Sequence, residues 1–186
     1  MTIAHKCYAC HGTAQVPVTA ALVLKELHGI SGDEVDSIVV AGSDKLVSHH
    51  NLTEPQELAT AQYSAPFCVA LAFYRDPRDP NVFCDASVAD PAIRTLCRKV
   101  KIEVLDRIPA DRSKACRVSV RLKDGREFAQ DAHSYPGLPE EPLSNSELQA
   151  KFHVLTASMP NAAAERIFSQ LLGLEDVTDV GRLRFD

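Results

Sequence analysis

Three segments in the second half of the chain alternate so regularly that they restrict the fold to one built on a half-covered sheet. Val100, Ile102 and Val104 alternate with charged residues, and Cys116, Val118, Val120 and Leu122 alternate with polar or charged ones. Lys123-Asp124-Gly125-Arg126 then turns the chain, Asp-Gly being a strong hairpin signal, and residues 127–132 form the return strand. Successive side chains on a strand point to opposite faces. Each strand therefore has one apolar and one polar face, which predicts a mainly antiparallel sheet covered on one side by helices.

The remaining segments supply those helices. Pro17 suits a first helical turn, Val18, Ala21, Leu22 and Lys25 follow at helical spacing, and Gly29 is a natural stop. Residues 35–41 are β-rich, with Ile38, Val39 and Val40 reading as a buried strand, and residues 45–51 read as a polar loop. Residues 53–74 read as a long helix with Leu58, Tyr63, Phe67, Ala70, Leu71 and Tyr74 on its apolar face, kinked or broken at Pro66. Asp90-Pro91 caps and opens a further helix. Ser144-x-x-Glu147 is a capping box ahead of Leu148, Phe152 and Leu155, and Asn161 caps a last helix carrying Ile167, Phe168, Leu171 and Leu172. The order α-β-α-α-β-β-β-α-α describes an α+β layer fold.

At 186 residues the chain is one domain, or one with a small annex. A net charge of −5, with Lys and Arg scattered, argues against nucleic acid. No apolar run approaches a membrane span. The first residues lack the apolar region of a secretory signal, which points to the cytoplasm and to reduced thiols.

The segment His5-Lys6-Cys7-Tyr8-Ala9-Cys10-His11 carries the chemistry. Cys7-x-x-Cys10-His11 spells a c-type haem attachment site, but haem attachment takes place in an oxidising, secreted setting. A structural zinc site pairs two separated ligand knuckles, and the next cysteine, Cys68, is alone in an apolar helix. The expectation is therefore no cofactor and no metal. The third reading makes Lys6 and His11 a polar pair for a small anionic substrate, the cysteines being partly buried fillers. The adjacent His49-His50 reads as solvated.

Further segments fall into order with this one. Lys6-x-Tyr8-x-Cys10 is followed by Ala20-Ala21-Leu22, then by Ala61-Gln62-Tyr63-Ser64-Ala65-Pro66-Phe67-Cys68-Val69-Ala70, then by Pro142-Leu143-Ser144-x-x-Glu147-Leu148-x-x-Lys151-Phe152. Together they resemble the C-terminal domain of the MmgE/PrpD family, which includes 2-methylcitrate dehydratase, cis-aconitate decarboxylase and iminodisuccinate epimerase. The resemblance implies a lid domain, residues 1–186, of a cofactor-independent lyase or isomerase. Such an enzyme acts on a small di- or tricarboxylate by proton abstraction next to a carboxylate. It also implies that Lys6 and His11 are catalytic and that Gln15, Tyr63, Ser64 and Phe67 bind substrate. Gln15 stands where relatives often have another histidine, and Phe67 where they often have tyrosine. The family's helical N-terminal domain, which supplies further catalytic groups, is not matched. The isolated chain is thus expected to be inactive and to pair with a helical-domain subunit or with itself. The alternative is a non-catalytic binding or assembly module that kept the lid fold.

Overall fold

The structure, a computed structural model, describes residues 3–106 and 114–184. The chain divides into two compact units, Met1–Pro142 and Leu143–Asp186. The first carries a four-stranded sheet in the order β2-β1-β3-β4, with β1 Val35–Gly42, β2 Val100–Val104, β3 Cys116–Leu122 and β4 Glu127–Ala132. The β1–β3 and β3–β4 pairs are antiparallel, as the alternation predicts, whereas β1 and β2 run parallel. A parallel neighbour needs a long crossover, and the helical stretch between β1 and β2 is that crossover.

The apolar side of the sheet is buried, with Ile38, Val40, Val118 and Val120 at its centre. On the polar side, cross-strand partners carry opposite charges. Arg117 faces Asp131 in register and forks onto it through two 2.7 Å bonds, and Arg121 faces Glu127. Such exposed pairs add little energy, roughly 0–1 kcal/mol each, but they fix which face looks outward.

Against the apolar side lie α1 Gln15–His28, α4 Ala65–Tyr74 and α6 Pro91–Cys97. Gly29 ends α1 in the left-handed conformation, φ 63°, where a side chain would strain the backbone. In α4 every residue but Tyr74 is buried. A helix apolar on all sides belongs in the interior, and α4 is the central helix of this unit. Asp90 caps α6 through the Ala92 N–H, with Pro91 in the first turn, as the sequence predicts.

The helix predicted over 53–74 with a kink or break at Pro66 is broken beside it into two, α3 Leu58–Tyr63 and α4, parted at Ser64, and it starts at Leu58 rather than at 53. A second expectation needs correction. The predicted polar loop at 45–51 is largely helical, α2 Asp44–His49, and it buries Leu46. A further short helix, α5 Asp85–Ala89, was not signalled. In the second unit, α7 Asn145–Leu155 opens with the full Ser144–Glu147 capping box, and α8 Asn161–Leu172 follows. Phe152 and Phe168 meet with ring centroids 5.3 Å apart, and His153 pairs with Glu165 at 3.0 Å.

Candidate functional site

The segment carrying Lys6 and His11 has no regular structure of its own, so its backbone groups need partners from elsewhere. Gln15 supplies most of them. Its side chain is fully buried at the start of α1 and reaches back under the loop. Oε1 accepts from the Cys7 and Tyr8 N–H groups at 3.0 and 3.2 Å, and Nε2 donates to the Tyr8 and Cys10 carbonyls at 2.9 and 3.3 Å. One amide thereby takes the place of a strand neighbour.

Three further ties fix the loop's edges. The His5 N–H donates to the Gly137 carbonyl at 2.8 Å, and the Cys7 thiol donates to the Pro136 carbonyl at 2.7 Å. Gly137 holds φ 102°, and a Cβ there would collide with the His5 carbonyl oxygen. On the other side, the His11 N–H donates to the Gln62 carbonyl at 2.8 Å.

That last bond follows from a proline. Within a continuous helix the Gln62 carbonyl would accept from residue 66, but Pro66 has no N–H to give. The Phe67 N–H, which would serve the Tyr63 carbonyl, is taken by the Ser64 hydroxyl capping α4 at 3.0 Å. Two helix-end carbonyls are thus left over. The His11 backbone takes the one on Gln62, and Nδ1 of His50 takes the one on Tyr63 at 3.0 Å. The break between α3 and α4 is therefore what draws the two histidines together.

Their rings stack, with centroids 4.2 Å apart and planes 26° from parallel, and the Tyr63 ring lies 4.8 Å from His11. His50 is only 4% exposed, and its Nε2 is buried without a hydrogen-bond partner. The expectation that His50 is solvated is overturned. Nδ1 of His11 accepts from the Thr13 N–H at 3.3 Å and lies 2.9 Å from the Thr13 hydroxyl. Burial, followed by the positive charges of His50, Lys6 and Lys45, pushes the His11 pKa below that of an ordinary histidine.

Lys6, Ala9, Cys10, His11, Gln62 and Tyr63 line an open depression of about 280 Å³. Lys6 is exposed at its rim, and Tyr63 is 57% exposed. An ammonium, an imidazole and a phenol around one hollow suit a small anion. The structure thus brings together Lys6, His11 and Tyr63. It places the other three candidates elsewhere. Gln15 is under the loop, Ser64 caps α4 and donates to the Leu52 carbonyl, and Phe67 is buried in the core. Cys10 is buried against Gln15. Among the described residues no three His, Cys, Asp or Glu side chains are grouped as metal ligands would be.

Sequence reasoning missed His50 and Thr13. A signal for His50 existed, since Ser43-Asp44 is a helix start and Leu46 and His50 lie four residues apart on the buried side.

A family model described as the MmgE/PrpD C-terminal domain matches residues 8–174. The chain belongs to the MmgE/PrpD family. The match takes in His11, Gln15 and the Gln62–Phe67 segment, and it begins just past Lys6. Cis-aconitate decarboxylase of Mus musculus is 27% identical over 168 residues, covering 89% of this chain and 34% of that protein. Cis-aconitate decarboxylase of Homo sapiens is 30% identical over 99 residues, covering 52% of this chain and 21% of that protein. The chain thus spans about a third of the length of its mouse MmgE/PrpD relative. Among the described residues no helix is long and apolar enough to cross a membrane.

Proposed function

We propose that this chain is the lid part of an MmgE/PrpD lyase or isomerase that acts on a small di- or tricarboxylate by removing a proton next to a carboxylate. The observation that carries this reading is the meeting of Lys6, His11 and Tyr63 at one open depression. Removing such a proton builds negative charge on the substrate, and fixed cations and N–H donors lower the energy of that charge. Lys6 offers a compact charge for a carboxylate, and the His11 ring is held in place by Thr13, His50 and Tyr63. The mouse and human relatives are named for decarboxylating cis-aconitate, a small tricarboxylate. The chain supplies cationic and donor groups, and the base that takes the proton comes from a helical domain outside residues 1–186.

The test is a turnover assay on 2-methylcitrate and cis-aconitate, with the 186-residue chain alone and with a family helical domain added. The expected result is no turnover alone and turnover in the mixture. Calorimetry with tricarballylate, an unreactive tricarboxylate, should show weak binding that Lys6→Ala reduces by roughly tenfold, equivalent to about 1.4 kcal/mol. Robust turnover by the chain alone would show that no outside base is needed. Unchanged binding in the Lys6→Ala variant would remove Lys6 from the site.

A further inference from the structure

The hydrogen bonds around the stacked histidines assign each ring a tautomer, and the tautomer decides what His11 can do. A backbone N–H can only donate, so the His11 Nδ1 that receives the Thr13 N–H at 3.3 Å is a bare lone pair, and the Thr13 hydroxyl 2.9 Å away, which can turn, then donates to it as well. In the neutral ring the proton then sits on Nε2, and the ring lines the depression. A neutral His11 in this form has no lone pair to offer a substrate proton. It offers an N–H instead.

His50 holds the ring in that state. A carbonyl can only accept, so the His50 Nδ1 facing the Tyr63 carbonyl carries a proton, and its Nε2 is buried without a partner. The ring cannot turn without losing its one hydrogen bond, and its flat face is the floor on which His11 lies at 4.2 Å. The Tyr63 ring lies beside the stack, 4.8 Å from His11 and 6.1 Å from His50 between centroids.

We propose that His11 serves as a neutral Nε2–H hydrogen-bond donor to a substrate carboxylate rather than as the base that takes the substrate's proton, and that His50 is the positioning residue that fixes its orientation and tautomer. The donor's target rests on the carboxylate reading given above, whereas the tautomer rests on the protein's own hydrogen bonds. The groups that face His11 agree with this role. Lys6 on its own loop, Lys45 in α2 and His50 at the end of α2 all disfavour the imidazolium, and burial acts in the same direction ahead of them. A neutral imidazole donor stabilises a developing oxyanion without carrying a proton that could be lost to it. The proton-removing base must then be a group other than His11.

Nitrogen-15 NMR of the histidine rings in the full chain tests this without any turnover. Expected is a neutral His11 protonated on Nε2 and bare on Nδ1, with a titration midpoint below the ordinary value of about 6.5. His50→Phe keeps a ring under His11 but removes its charge. The tautomer should stay and the midpoint should move up. His50→Ala removes the floor, so the midpoint should move up and the Nε2–H form should lose its dominance. A wild-type His11 protonated on Nδ1 would overturn the donor role. An unmoved midpoint in the folded Phe variant would overturn the role of His50, and this arm stands whether or not the Ala variant folds. Tricarballylate added to the wild type should shift the His11 Nε2–H signal. The expected tautomer with no response to that anion would count against the carboxylate reading alone.

Discussion

Gln15 shows how one side chain can do the work of a secondary-structure element. Its amide serves two N–H groups and two carbonyls of the loop that carries Lys6 and His11. Removing it leaves those buried groups unpaired, each at a cost of about 1–3 kcal/mol where no water can enter. Gln15→Ala should therefore destabilise the fold by about 3 kcal/mol in urea denaturation, and the His11 ring signals should broaden or move with it. A loss below about 1 kcal/mol would mean that the loop finds other partners. Family resemblance marked Gln15 as a substrate contact, and its fully buried place gives it a supporting role instead. Polarity and position in a sequence do not reveal which way an amide points. Lys6 and His11 were singled out by the family resemblance, because the short motif around them also spells haem and zinc sites. His50 was not, because its partners are a ring and a carbonyl supplied by distant segments.

The decisive element is the junction of α3 and α4. Pro66 is visible in the sequence as a helix breaker, and the break falls beside it. What the sequence did not reveal is which donors reach the carbonyls that the break leaves over. Ser64 closes the junction by capping α4 and by donating to the Leu52 carbonyl. Loss of an N-cap costs about 1 kcal/mol, up to about 2. Ser64→Ala should lose about that much in chemical denaturation, and Ser64→Gly should not restore it, because the second bond to Leu52 is also gone. A neutral result would show that the cap carries no weight here. The strands were the best-read elements, because alternation and the Asp124-Gly125 turn are local signals. The parallel pairing of β1 with β2 was not legible, since it depends on a crossover through α2 to α6 rather than on either strand's own pattern.

At the level of the whole molecule, the interior sorts the six free cysteines by reactivity. Burial pushes Cys97 and Cys116 up to about 12 and raises Cys68 strongly as well. Cys84 shifts the other way, because the Ser87 backbone N–H and then its hydroxyl stabilise the thiolate. The thiolate is the nucleophile, so iodoacetamide at neutral pH should modify Cys84 well ahead of Cys68, Cys97 and Cys116 when followed by peptide mass spectrometry. Equal rates at Cys84 and Cys97 would contradict the packing around α6. The α+β class and the covered face of the sheet could be read from pattern alone, whereas the way the loop is held could not. The Cys7 thiol and the Pro136 carbonyl that receives it are 129 residues apart in the chain. Beside them Gly137 receives the His5 N–H in a space too tight for a side chain. During synthesis Lys6 and His11 leave the ribosome well before Gly137, yet the clasp that seats their loop cannot close until Gly137 has followed. A polypeptide released before that glycine therefore carries Lys6 and His11 without the ties that seat their loop.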